Sequence, residues 1–206
     1  VRDLYRPMEG TAHNLALVSI AKRYEGQAAK VAQGLWGAGQ MMFNKYLLLT
    51  PPQTIVRDTE SIAALIRGCD ISHSVIRGQG IYDVLDHATA TTGYGSKLAI
   101  DLTDVKDAPR TFTTPRIAHP MGGVELFNTE FAKEYGILIL YAEREYHDTI
   151  DIERYITENK FDDMKVVALF DRGAAGNMTP SDLLWLAAAN TDPKRDIRIF
   201  NNTIIV

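Results

Sequence analysis

Arg172, Gly173, Gly176 and Asn177 follow a short apolar stretch, KVVALFD, that ends at Asp171. Open α/β sheets take ligands just beyond such a strand, and small residues there let backbone N–H groups approach a phosphate. Residues 173–177 are therefore one candidate anion loop, against a plain strand-to-helix connection. Gly95-Ser96-Lys97 is a second candidate. A P-loop needs Gly, four residues, then Gly-Lys-Ser/Thr opening a helix. Here the order is Gly-Ser-Lys and Leu98-Ala99-Ile100 reads as a strand, so the expectation is a flexible turn carrying a surface lysine.

Other chemistry-bearing residues are scattered. His13, His73, His87, His119 and His147 include no pair at metal-ligand spacing. Asp83, Asp86 and His87 cluster in a segment without a clear period, and read as solvated before they read as metal ligands. No serine sits in a nucleophile elbow. Glu143, Glu145, Glu153 and Glu158 read as a solvated acidic face. Cys69 is the single cysteine, which rules out an internal disulfide and a multi-thiolate zinc site. It reads as a small buried hydrophobe at a helix end. We therefore assign no catalytic and no metal residues from these patterns.

The elements that would position these residues repeat. Residues 30–50 run from a helix end through a Gly-broken turn into the apolar run Tyr46, Leu47, Leu48, Leu49, closed by Pro51-Pro52. Such a run fits a strand covered on both faces of a parallel sheet. KVVALFD repeats it in the second half. Around the first copy, residues 13–20 read as a strand, 27–36 as an amphipathic helix, and Asp58 as the N-cap of a helix ending at Gly68. Residues 74–77 read as a short strand. Around the second, 129–135 form a helix stopped by Gly136, 137–141 a strand, and an amphipathic helix follows Thr149. Thr179, Pro180 and Asp182 open another helix, whose run Leu183–Leu184–Trp185–Leu186–Ala187 is apolar on all sides and reads as widely buried. Strands at 197–200 and 203–206 complete it.

The fold class expected is α/β, a mainly parallel sheet sandwiched by helices, in two tandem copies of a βαβαβ unit. The first copy takes residues 1–104, a Pro/Gly-rich linker 105–133, and a second, truncated copy 134–206. The 206 residues, 46% hydrophobic and 23% charged, suit a globular protein. A formal charge of −4 argues against nucleic acid as a partner, and no apolar run is long enough to span a membrane. With one cysteine the chain suits a reducing cytoplasm. Val1 and the apolar run up to Val206 point to a piece of a longer polypeptide.

HNLALVSIAKRYEGQAAKVAQGLWG, FNKYLLLT and GYGSKLAIDLT resemble, in order, the carboxy-terminal domain of UbiD-type decarboxylases. GLWGAGQMMFNKY is most similar to the menaquinone-type branch. Asp192-Pro193-Lys194-Arg195-Asp196 resembles the family's DPxxD turn, while the first copy reads Asp70-Ile71-Ser72-His73-Ser74 at that place. The resemblance implies a non-oxidative aromatic or α,β-unsaturated acid decarboxylase serving quinone synthesis. Its central split barrel would bind prenylated FMN with a divalent metal and a monovalent cation. Nothing here resembles that barrel, so no cofactor is expected bound to these residues alone, and they are expected to be inactive. The implied partners are the barrel, in the same polypeptide, and further copies of the chain as a homo-oligomer. A basic residue before the FNKY-type strand reaches the flavin phosphate in some members, so Lys45 and Gln40 are the implied cofactor-binding candidates. Against that, Lys45 reads as a surface lysine where the strand begins. Met41, Met42, Phe43, Leu35 and Trp36 are a candidate subunit contact, or core. The rival functions are a stand-alone nucleotide- or anion-binding module at residues 173–177, and a purely structural dimerisation domain.

Overall fold

The computed structural model describes residues 1–7, 14–105, 112–143, 145, 150–161 and 163–206. His13, Pro109, His147 and Thr149 lie outside them.

The first half builds β1 (Asp3–Tyr5), β2 (Leu15–Ser19), α1 (Gln27–Trp36), a 3-10 turn (Gly39–Phe43) and β3 (Tyr46–Thr50). It continues with α2 (Thr59–Gly68), α3 (Ile71–Ser74), β4 (Val75–Ile81) and β5 (Tyr94–Asp101). Every residue of β2 is buried, as a strand covered on both faces requires. Helix α1 buries Ala28, Ala32 and Trp36, one residue per turn on a single face. The Asp58 carboxylate accepts from the N–H groups of Glu60 and Ser61 and starts α2 as expected.

The second half builds β6 (Val124–Leu126), α4 (Thr129–Tyr135), β7 (Ile137–Ala142), α5 (Ile152–Asn159), β8 (Val166–Asp171) and α6 (Arg172–Ala175). Then come α7 (Pro180–Asn190), α8 (Pro193–Asp196), β9 (Arg198–Phe200) and β10 (Thr203–Ile205). Thr179 and Asp182 form the expected capping box, with Pro180 at the first position. Gly136 ends α4 in the left-handed conformation at φ 68°.

Two five-stranded sheets result, in the orders β1-β2-β3-β5-β4 and β6-β7-β8-β10-β9. Each has three parallel central strands and an antiparallel strand at either edge. The α/β fold and the tandem repetition stand, with mixed sheets in place of mainly parallel ones. The copies register residue by residue. Tyr46 pairs with Leu98 as Val166 pairs with Ile204, and Leu98 N–H donates to Lys45 O as Ile204 N–H donates to Lys165 O.

Three expectations change. Residues 95–97 are not a turn. Antiparallel pairing of Gly78 with Lys97, Gln79 with Ser96 and Gly80 with Gly95 extends both hairpin strands through them. Part of the expected linker belongs to the second sheet: β6 pairs with β7, and Phe112 is buried against Gly136. Helix α7 is not widely buried. It lies on one side of its sheet and buries Leu183 and Ala188, leaving Leu184 and Trp185 exposed. As to the candidate contact, Trp36 is buried and Leu35 and Met41 pack on the first copy's core.

Candidate functional site

The two copies meet along a shared apolar core. Cys69, Ile71, Leu98, Ile100 and Leu102 of the first pack with Ile197 and Ile204 of the second. Burial raises the Cys69 thiol above its ordinary value, which fits a buried apolar role.

Around this core lies a buried polar cluster. Lys45 is fully buried, and its Nζ donates to Asp86 Oδ2 at 2.8 Å, Thr191 O at 3.1 Å and Ala189 O at 3.4 Å. Those carbonyls close α7, so the ammonium caps a helix C-terminus belonging to the other copy. The hydroxyls of Tyr46 and Thr191 are hydrogen-bonded beside it. Lys97, 1% exposed, donates to Met42 O at 2.6 Å and Asn44 O at 2.8 Å. The buried Tyr82 ring takes both ammonium groups, Lys97 at 4.9 Å and Lys45 at 5.5 Å from its centroid. A Cβ on Gly80 would stand 2.9 Å from Lys97 Cε, so glycine there makes room for the lysine.

Ser96 carries the cluster to α8. Its Oγ donates to Asp192 Oδ1 at 2.5 Å, its N–H donates to Asp192 Oδ2 at 3.2 Å, and Lys194 N–H donates to Ser96 Oγ at 2.7 Å. Asp192 also caps α8 through the N–H groups of Lys194 and Arg195.

Burial, and next the charge of Lys45, push the Lys97 ammonium down to about 7, against the pull of Asp86. Burial also lowers Lys45, with Asp86 partly offsetting it. Burial raises the Tyr82 and Tyr46 hydroxyls well above their ordinary value. For Asp192, burial works upward, but the bonds from Ser96, Lys194 and Arg195 outweigh it and hold the carboxyl low.

The second copy answers in kind. Lys165 Nζ donates to Cys69 O at 2.8 Å, and Ile71 N–H donates to Asn202 Oδ1 at 2.5 Å. Thr191 precedes the cap Asp192 of α8 as Cys69 precedes Asp70, the residue before α3. Each copy thus reaches the other's helix end by the same pair of positions.

Lys45 and Lys97 are accordingly not surface lysines. Gly95, Ser96 and Lys97 form part of the joint, and Asp86 pairs with Lys45 in place of a metal. The Asp83 carbonyl accepts the Asp86 N–H at 2.9 Å, and the described residues hold no group of three or more potential metal ligands. Gln40 is exposed on the 3-10 turn. A flavin phosphate requires donors that are open to it. The Lys45 Nζ is enclosed by a carboxylate and two carbonyls, so the joint as folded does not fit that group.

At residues 173–177, Asp171 Oδ1 accepts the Ala174 N–H at 2.9 Å, the kind of donor an anion would need. Arg172 pairs with Glu125 and Glu143. A largely apolar cavity of about 400 Å³ opens beside Leu169, Phe170, Asp171, Asp196, Arg198 and Val206. Its Arg198 is paired with Glu153 at 3.3 Å. These pairings favour the plain connection over the anion module.

The lysine joint was missed from sequence, yet a signal existed. Each core strand is preceded by a lysine, and each short helix by an aspartate, at matching places in the two copies.

The fold and joint define a doubled α/β unit held together in one chain. Residues 1–102 match the sequence model of the 3-octaprenyl-4-hydroxybenzoate carboxy-lyase C-terminal domain. The chain is 29% identical over 204 residues to an uncharacterized protein of Helicobacter pylori strain J99, covering 95% of this chain and 33% of that one. It therefore spans about a third of that relative's length. An uncharacterized protein of Aquifex aeolicus is 41% identical over 104 residues, 50% of this chain and 21% of its own. Among solved structures, the UbiD-class enzyme HmfF from Pelotomaculum thermopropionicum in complex with FMN aligns at a TM-score of 0.44 and 20% identity. That alignment covers 49% of this chain and 22% of HmfF. Among the described residues no helix is long and apolar enough to cross a membrane.

Proposed function

We propose that this chain is the carboxy-terminal assembly and cleft-closing part of a UbiD-like non-oxidative decarboxylase. Its substrate would be an aromatic or α,β-unsaturated acid in menaquinone- or ubiquinone-type synthesis in the cytoplasm. The observation that carries the reading is the match of residues 1–102 to the carboxy-lyase C-terminal domain. The Helicobacter relative, three times as long, supports a larger whole around both copies.

In this reading the chemistry belongs to a split barrel elsewhere in the polypeptide, where prenylated FMN, a divalent metal and a monovalent cation are held. The residues described here supply a rigid wall. The lysine joint keeps the two copies in one orientation, and the exposed Gln40 is the position from which this wall reaches toward the cofactor. Homo-oligomers form through surfaces outside the joint, with Met42 a candidate contact.

The test is to produce the longer polypeptide with a source of prenylated FMN and measure flavin absorbance and CO2 release from a panel of such acids. The expected result is a flavin-loaded enzyme that decarboxylates at least one of them, while residues 1–206 alone do neither. Flavin-loaded polypeptide that releases no CO2 from any of them would overturn the reading. So would stoichiometric flavin retained by residues 1–206.

A further inference from the structure

The β4–β5 hairpin carries a connection, residues 82–93, that the second copy does without. There the equivalent hairpin closes on Asn201 and Asn202, both left-handed at φ 45° and 65°. Two such residues suffice to turn a hairpin. The longer loop is thus an addition to the fold, not a requirement of it.

This loop is built inside out. The Asp86 side chain, 6% exposed, is drawn in against the buried Lys45, and Tyr82 lies buried beside both lysines. Val84 and Leu85 face solvent, 69% and 76% exposed. Ile81 and Tyr94, direct partners across the hairpin, are also exposed. A Val84 methyl lies 3.8 Å from where a Cβ on Gly93 would stand, next to Tyr94. Val84 and Leu85 in the loop and Ile81 and Tyr94 at its base thus leave four large apolar side chains exposed on this hairpin. The buried pair fixes them there: turning Val84 and Leu85 inward would draw Asp86 off Lys45 and leave a buried ammonium uncompensated. Exposed apolar side chains gathered on one element are the kind of surface that an interaction covers.

We propose that this tip docks onto an apolar surface of the rest of the same polypeptide and fixes the doubled unit against it. The Helicobacter relative is three times the length of this chain, so a large body stands within covalent reach. A tethered partner needs only a small contact to stay bound. The inference rests on the reading of this chain as one part of a longer enzyme, and its test reads no activity.

Hydrogen exchange would be followed across residues 81–94 in the longer polypeptide and in residues 1–206 alone. Exchange should be at least about tenfold slower in the longer form. Val84→Glu with Leu85→Glu should abolish that difference and leave the melting of residues 1–206 unchanged, because both side chains are exposed. Equal exchange in the two forms overturns the proposal. Protection in residues 1–206 that grows with concentration, with a dimer in sedimentation that the double variant dissolves, assigns the tip to a second copy and also overturns it. A reading frame that ends at residues 1 and 206 does the same. Protection without decarboxylation would sink the enzyme reading and leave the docking intact.

Discussion

Lys45 and Lys165 hold the same place in the two copies, and each donates to the other copy's helix end: Lys45 to Thr191 O at 3.1 Å, Lys165 to Cys69 O at 2.8 Å. The two bonds are not equal in consequence. Lys45 carries a buried ion pair as well. Lys165→Met should cost about 1 kcal/mol, the worth of one hydrogen bond. Lys45→Met should cost several times more, because it strands the Asp86 carboxylate. Urea titrations of the two variants would show this order, and equal losses would refute it.

Asp86→Ala removes the only carboxylate shown paired with the Lys45 ammonium among the described residues. Breaking a buried pair from one side costs about 3–5 kcal/mol. Asp86→Leu combined with Lys45→Met removes both charges, and should recover much of that loss in chemical denaturation. A double variant as unstable as Asp86→Ala would mean that the charge itself is not what matters.

Lys97 gives the fold a pH dependence of definite sign. Its folded value of about 7 lies below the ordinary 10.5, so the unfolded chain binds more protons between those limits. Stability should rise with pH from about 7 toward 10 and lose this contribution in full below 7, by at most about 1.4 kcal/mol per pH unit. Lys97→Met should flatten the slope between pH 7 and 9. Lys45, lowered for the same reason, acts in the same direction, so some slope remains. An unchanged slope in the variant would exclude Lys97 as its source.

Asp192 works in the opposite range. Its carboxyl is held low, so its contribution is complete above the ordinary value of 3.8 and disappears as pH falls through the depressed one. Asp192→Ala removes the α8 cap and the Ser96 bonds and should cost about 2 kcal/mol at neutral pH. The difference from the parent chain should shrink in acid. Thermal melts at pH 7 and pH 3 would test both statements.

Much of the fold was legible because its signals are local. Asp58, Thr179, Pro180, Asp182 and Gly136 mark helix ends wherever they stand, and the all-buried β2 announces itself by composition. The joint is not local. Gly95-Ser96-Lys97 resembles a turn until β4 pairs with it, and a buried lysine resembles a surface one until its partners, 144 and 146 residues away, are in place. The open face of helix α7 is hidden in the sequence for a related reason. An apolar run does not say how many neighbours exist to cover it, and Leu184 and Trp185 have too few. The edge strand β6 was hidden in a Pro- and Gly-rich stretch, because three residues are too few to show a period.

Asp86 and the loop that carries it have one further consequence. When two identical chains pair, every substitution is made twice, once on each side of the axis, and a change tolerable on one side must be tolerable on both. A chain that holds both partners is released from that rule. Here one half has a two-residue turn, while the other has twelve residues between β4 and β5, a second buried lysine and an internal counter-charge. The joint is symmetric where it grips and lopsided at the longer hairpin, a division of labour open to two halves joined in one chain.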